Sequence, residues 1–278
     1  MGETMKNLVV RTVSGLVLAV VMLVCILYSQ WSFGALLLVL LVGGMVEFYG
    51  LAPPRHGTQP LEVVGIVAGV VLFGLSFAIT VGGTHSEQLT GIGVVFLLLL
   101  LPLMFICELY RRQANPIADI GATLAGLFYV AFPLALMCHI PTMWGERQPV
   151  LMVYYLFMIW ANDVFAYLVG MAVGRNPLFE RLSPKKTWEG FFGGLVGAVL
   201  VGVIGSWQVG GSPAAWIGFA LVAAVTGVLG DLVESMFKRA AGVKDSGSII
   251  PGHGGLLDRF DAMLLSSPFV TVYLYYVM

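Results

Sequence analysis

Long apolar runs separated by short polar segments dominate the chain. Nine can be counted, at approximately 12–28, 31–51, 63–81, 90–107, 120–141, 150–173, 191–207, 214–230 and 263–277. A helix needs about 20 apolar residues to cross the hydrocarbon, with a working range of about 17–25. The first run and the last three stand at or just below that limit, so flanking residues must extend them. Strands of a membrane barrel would alternate apolar and polar side chains, and a run such as Val94 to Leu101 shows no alternation. The pattern therefore predicts an all-α polytopic membrane protein of about nine transmembrane helices. Polar chemistry concentrates late in the chain, which suggests an amino-terminal scaffold of five helices (1–143) and a carboxyl-terminal catalytic half of four helices with polar loops (144–278), packed as one membrane domain. No internal repeat is visible, so the inverted-repeat layout of many transporters lacks support.

Composition sharpens this reading. Of 278 residues, 59% are apolar and 10% charged, against roughly 45–50% and 25% in soluble domains. A water-soluble globule is excluded, because so few charged side chains could not cover its surface. The net charge of −1 says nothing about nucleic acid, but the chain has no long basic run or tail of the kind that binds it, so no nucleic-acid partner is expected. The placement of charge is more informative. If the amino terminus and the even-numbered loops share one side, thirteen of the fourteen basic residues lie there, and Arg147 is alone on the other. Under the positive-inside rule the amino terminus is cytoplasmic and, after nine crossings, the carboxyl terminus lies outside. Lys6 and Arg11 ahead of an apolar run resemble a signal peptide. After Cys25, however, Tyr28-Ser29-Gln30-Trp31 offers no small-x-small cleavage site, so the segment reads as a retained anchor. Cys25, Cys107 and Cys138 lack paired spacing and read as small buried hydrophobes.

In the amino-terminal half, Glu47 is the one carboxylate well inside an apolar run. About one turn from the inner end of its helix, it reads as reaching the interface or capping a packing contact. His56, His85 and His139 have no ligand-spaced companions and read as loop or interface residues. Asp163 lies near the middle of the sixth run, where an ionised carboxylate costs on the order of 2.5–3.5 kcal/mol, so it is expected to face the interior of the helix bundle or a wet cavity and to have a partner. Helical spacing puts Asp163, Ala166, Tyr167, Gly170 and Gly174 on one small, polar face suited to close packing.

The following segment contains Ser183-Pro184-Lys185-Lys186-Thr187-Trp188-Glu189-Gly190, with Arg175 and Arg181 before it. Basic residues, hydroxyls and an interfacial Trp188 ahead of a helix start form a seat for an anionic headgroup. Gly190, Gly193, Gly194 and Gly197 then let that helix approach a neighbour closely. Farther on, Asp231, Glu234 and Ser235 fall at i, i+3 and i+4 and present oxygen ligands on one helix face. Asp258 and Asp261 do the same at the start of the last helix, where the helix dipole favours negative charge. The Gly-rich loop between them carries Lys238, Arg239, Lys244 and Arg259. Hard oxygen ligands for Mg²⁺ beside cations and open backbone N–H groups describe a metal–polyphosphate site.

The order of these residues carries a resemblance. Ser235-x-Phe237-Lys238-Arg239, four residues, Lys244-Asp245-x-Gly247, then Ile250-Pro251-x-His253-Gly254-Gly255-Leu256-x-Asp258-Arg259-Phe260-Asp261 closely resembles the signature of the phosphatidate cytidylyltransferases, the CDP-diacylglycerol synthases. There is no departure from that pattern, which spans about a tenth of the chain. Asn162-Asp163 and the Ser183–Gly190 segment look like the family's upstream motifs. The amino-terminal half matches only in being hydrophobic.

The resemblance implies the reaction of CTP with phosphatidate to give CDP-diacylglycerol and pyrophosphate, with a required divalent metal. It assigns Asp231 and Asp258 to Mg²⁺, as one or two ions with room for a monovalent cation, and gives Asp261 a supporting role. Lys238, Arg239 and Lys244 are assigned to the CTP phosphates, with His253, Gly254 and Gly255 allowing close backbone approach. Ser183, Lys185 and Lys186 are assigned to the phosphatidate headgroup, with Asn162 and Asp163 lining the cavity and Arg259 oriented by Asp261. The expected location is a bacterial plasma (inner) membrane with the site on the cytoplasmic side, among membrane lipids, and a homodimer is left open. Two other readings stand beside this one: a CTP-dependent lipid kinase of the polyprenol type, and an anionic-lipid transporter.

Overall fold

A computed structural model describes residues 2–52, 57–81, 86–144, 148–249 and 254–277, with residues 2–11 and 86 given as backbone. The described chain is overwhelmingly helical, as the apolar runs predict. The helices are α1 (Gly2–Tyr28), α2 (Gln30–Gly50), α3 (Glu62–Val81), α4 (Ser86–Arg111), α5 (Pro116–Gly126), α6 (Phe132–Met137), α7 (Pro149–Val173), α8 (Trp188–Val209), α9 (Pro213–Ala241) and α10 (Leu257–Val277). A two-stranded hairpin, β1 (Pro177–Phe179) and β2 (Ser183–Thr187), precedes α8.

Among the described residues, eight helical segments are long and apolar enough to cross a membrane, and α1 adds a shorter apolar stretch, Thr12–Tyr28. The last three runs are extended by their flanks as expected, so that α8, α9 and α10 reach 22, 29 and 21 residues. The fifth run is not one continuous α-helix. Between α5 and α6 the turn Leu127–Ala131 widens to π geometry, with the Phe132 N–H bonded to the Leu127 carbonyl. Pro133 has no N–H to continue the ordinary ladder, and a widened turn accommodates that break.

The chain forms two compact units. The first comprises Met1–His139 with Ala240–Arg259, and the second Ile140–Arg239 with Phe260–Met278. In the first unit, α3 packs against α2, α4 and α6. Its long-range polar ties include the Tyr49 hydroxyl, which donates to the Thr123 carbonyl at 3.0 Å, and the Leu61 N–H, which donates to Thr123 Oγ1 at 2.8 Å. Glu47 is not the only buried carboxylate in this half, because Glu108 and Asp119 are 3% and 0% exposed. Both hold the segment entering α3. Asp119 Oδ1 accepts from the Gln59 N–H at 2.6 Å, and Arg111 bridges Glu108 (2.7 Å) to the Gln59 carbonyl (3.0 Å). Farther along α3, Ser76 Oγ lies 2.8 Å from His139 Nε2. His56 and His85 lie outside the described residues. Cys138 is buried, whereas Cys25 and Cys107 are half-buried, and all three are free thiols.

In the second unit the glycine stripe of α8 does what its spacing predicts, and Ala166, Gly170 and Gly174 of the expected α7 face lie against α8 and its Thr187 cap, but Asn162 and Val169 stand in the contact where Asp163 and Tyr167 were expected. A Cβ on Gly194 would meet Asn162 Oδ1 at 2.5 Å, one on Gly190 the Ala166 carbonyl at 2.7 Å, and one on Gly193 the Val169 side chain at 2.6 Å. Asn162, Ala166, Val169 and Gly170 thus make the contact, while Asp163 and Tyr167 are exposed. Close approach of two backbones favours the residue whose side chain lies flat against a glycine, and Asn162 fills that place. The rest of the unit is tied by buried aromatics. Trp216 donates from Nε1 to the Gly210 carbonyl at 2.8 Å, and the Tyr155 hydroxyl lies 2.5 Å from Ser266 Oγ on α10.

Candidate active site

In the second unit, α9 brings Asp231 and Glu234 onto one face through their i, i+3 spacing. Gly230, immediately before them, allows α10 to cross at backbone distance: a Cβ there would stand 2.5 Å from the Asp261 carbonyl oxygen and 3.0 Å from the Ala262 Cα. The crossing places Asp261 beside the α9 pair, and carboxylate oxygens of Asp231, Glu234 and Asp261 all lie within 4.8 Å of one another. Three carboxylates at that separation repel one another unless cations are nearby. Two lysines supply positive charge. Lys186 Nζ, from β2, forms an ion pair with Asp231 Oδ2, and Lys238 Nζ pairs with Glu234 Oε2 at 2.9 Å. Ser235 Oγ donates to Asp231 Oδ1 at 3.4 Å.

Lys186 is held in place by the hairpin. Pro177 pairs with Thr187 and Phe179 with Ser183 across the antiparallel strands. Glu189, in the first turn of α8, closes the base: its Oε2 accepts from the backbone N–H groups of Arg175 (3.1 Å) and Asn176 (3.3 Å), and its Oε1 from Asn176 Nδ2 (2.6 Å). Thr187 caps α8 by accepting the Gly190 N–H at 3.2 Å. Ser183 is half-buried on β2, and Lys185 is exposed.

The signature loop belongs to the first unit. Asp258 Oδ2 accepts three hydrogen bonds within that loop, from the Ser246 N–H (2.9 Å), Ser246 Oγ (3.1 Å) and the Gly255 N–H (2.9 Å). Gly254 has φ +81°, a conformation that L side chains rarely adopt, and a Cβ there would lie 2.7 Å from the same oxygen. Glu47 reaches the loop from α2. Its Oε1 accepts the Leu256 N–H at 2.9 Å, and its Oε2 accepts the Leu257 N–H at 2.9 Å and Ser246 Oγ at 3.1 Å.

Of the residues expected from sequence, the structure brings together Asp231, Glu234, Asp261, Lys186 and Lys238. Asp258, Gly254 and Gly255 are gathered in the loop, with Arg239, Lys244 and Arg259 exposed. Asn162 is 2% exposed and buried against α8 rather than on a cavity surface, and its Oδ1 has no partner among the described residues. Asp163, expected to face the bundle interior or a wet cavity, is exposed. His253 lies outside the described residues. Sequence reasoning passed over Glu47 as a packing contact. The available signal was a carboxylate within an apolar run, which must find donors once it is buried.

The comparisons with known proteins agree with the signature. The model of the cytidylyltransferase family matches residues 9–277. A phosphatidate cytidylyltransferase of Synechocystis sp. is 32% identical over 300 residues, covering 94% of each chain. One from Staphylococcus aureus (strain COL) is 45% identical over 123 residues, 44% of this chain and 47% of that protein. One from Haemophilus influenzae is 41% identical over 136 residues, 46% of each chain. With a match that runs from within α1 to the end of α10, the chain belongs to the cytidylyltransferase family.

Proposed function

We propose that the protein transfers CMP from CTP to phosphatidate, giving CDP-diacylglycerol and pyrophosphate for phospholipid synthesis. The observation that carries this reading is the Asp231–Glu234–Asp261 cluster with Lys186 and Lys238 against it, in a chain matched over almost its whole length by cytidylyltransferases. A phosphate monoester is already a nucleophile near neutral pH, so no strong base is needed. A phosphatidate oxygen attacks the α-phosphorus of CTP, the bond from that phosphorus to the bridging oxygen breaks, and pyrophosphate leaves with the electron pair. The protein must therefore hold two mutually repelling anions in line and stabilise charge on the leaving group.

Hard carboxylate oxygens within 4.8 Å of one another suit a divalent cation. The residues assigned to Mg²⁺ are Asp231, with Glu234 and Asp261 beside it, and, from the family resemblance, Asp258. The ion supplies positive charge that offsets the triphosphate. Lys238, Arg239 and Lys244 neutralise the departing pyrophosphate, and the backbone at His253, Gly254 and Gly255 approaches the nucleotide phosphates. Ser183, Lys185 and Lys186 bind the lipid phosphate. The ion pair from Lys186 to Asp231 supports this arrangement, because it joins the headgroup seat to the acidic cluster.

Labelled CTP tests the reaction in detergent-solubilised protein with phosphatidate and Mg²⁺. Label from α-³²P CTP enters the lipid, and label from γ-³²P CTP leaves as pyrophosphate. Recovery of the γ label in the lipid, with CDP released, would establish the kinase reading instead.

The proposed topology places the amino terminus, the hairpin and the signature loop in the cytoplasm of a bacterial cell and the carboxyl terminus outside, from the thirteen-to-one division of basic residues. In a background without the three native cysteines, Glu180→Cys and Ser248→Cys resist an impermeant thiol reagent in intact cells, and Ser212→Cys is labelled. The opposite labelling pattern overturns the orientation.

A further inference from the structure

We propose that Glu47 is a positioning residue for the reaction: from α2 it holds the signature loop and the first turn of α10 in one arrangement, and so fixes where Asp258, Arg259 and the loop N–H groups stand. The reaction is the one proposed above, and the inference about activity rests on that reading.

Both carboxylate oxygens of Glu47 are engaged. Oε1 accepts the Leu256 N–H, and Oε2 accepts the Leu257 N–H and the Ser246 hydroxyl. Those two N–H groups are at the start of α10, where a helix leaves its first donors without partners. The residue preceding the helix is Leu256, whose side chain has no oxygen to cap them. A carboxylate about 200 positions earlier in the chain takes that role, and its charge is favourable at the positive end of the helix. The site is built to admit Glu47 closely. A Cβ on Gly247 would stand 2.5 Å from Oε1, and one on Gly255 2.5 Å from Oε2. Two of the signature glycines therefore make room for this carboxylate. Ser246 links it to the next residue in the chain of contacts, since the same hydroxyl lies 3.1 Å from Asp258 Oδ2. A displacement of Glu47 is transmitted through Ser246 and the α10 amides to Asp258 and Arg259.

Glutamine cannot replace this group. Two N–H donors point at two different oxygens, and a glutamine side chain in the same place would offer one acceptor and turn an NH₂ against the other donor. In Glu47→Gln, amide hydrogen exchange at Gly255, Leu256 and Leu257 is expected to accelerate about 10- to 100-fold, as for loss of a charge-assisted hydrogen bond, while exchange elsewhere in α2 is unchanged. In the same protein kcat falls at least about tenfold and KM for CTP rises, with KM for phosphatidate unchanged because its seat is on the hairpin. Glu47→Asp keeps two acceptor oxygens and falls between wild type and Glu47→Gln. Wild-type exchange in the loop, or unchanged kcat, overturns the proposal, as does a joint rise of both KM values with faster exchange along the whole of α2. Should Glu47→Gln fail to fold, Gly255→Ala displaces the carboxylate from the loop side and is read by the same exchange at Leu256 and Leu257. If wild-type protein transfers no CMP, the reaction is wrong. The exchange data then decide separately whether Glu47 holds the loop.

Discussion

Asp231→Asn abolishes turnover, by about 10³-fold or more in kcat, while the purified protein keeps its fold. The substitution removes one charge and almost no volume, and loss of a preorganised electrostatic contact at the reacting phosphates is worth about 10²–10³-fold on its own. Asp231 also anchors Lys186 by an ion pair, so the hairpin proposed to seat the headgroup loses its tie to the acidic cluster in the same step. Stability moves the other way. With one of three neighbouring carboxylates neutral, mutual repulsion falls, and the variant melts at or above the wild-type temperature in Mg²⁺-free detergent. Glu87→Gln, an exposed acid in the first turn of α4, serves as the control and keeps wild-type activity. Near-normal turnover of Asp231→Asn across a Mg²⁺ titration would remove Asp231 from the metal site.

Gly230→Val has the second large effect, through packing. The nearest neighbours of a Cβ at this position are the Asp261 carbonyl, the Ala262 Cα and the Leu265 Cβ, at 2.5, 3.0 and 3.1 Å. Backbone cannot rotate out of the way as a long side chain can, so α9 and α10 must move apart. Overpacking of this kind costs about 1–3 kcal/mol, and the displacement separates Asp231 and Glu234 from Asp261. Lower thermal stability, weaker Mg²⁺ dependence and a kcat reduced by about 10²-fold are expected together. Gly74→Ala provides the contrast. A Cβ there meets nothing within 4 Å, inside α3, and the replacement stabilises by about 0.5–1 kcal/mol. A fully active Gly230→Val would show that the close crossing is not needed for the acidic cluster.

The helices were legible in the sequence because lipid imposes length and apolarity on each of them, and all nine apolar runs correspond to helical segments. The pairing of Asp231 with Glu234 was legible for a similar reason, since it depends only on helical periodicity. Asp261 beside them was legible only through the family resemblance, because it arrives through the crossing of α9 and α10 at Gly230, and spacing along the chain does not report a crossing. The hairpin was equally hidden. Strands of three and five residues containing Pro177 and Pro184 leave no alternation to detect, so Lys186 could be assigned to a basic loop but not to Asp231. At one end of the α7 face Asp163 was expected where Asn162 stands, because both are polar and only the position of Gly194 decides which of them is buried. Glu108 and Asp119 were passed over because they lie near helix ends, where a carboxylate reads as solvated. They are buried because the segment before α3 folds back onto them.

The contact between Glu47 and the signature loop also has a consequence for biosynthesis. Its donors are 199 to 210 positions downstream, so at about 5–20 residues per second α2 emerges from the ribosome roughly 10–40 s before they exist. During that interval a carboxylate destined for burial must remain at the aqueous interface or be screened by another protein. The last turn of α2 therefore settles late, after α10 has begun to emerge.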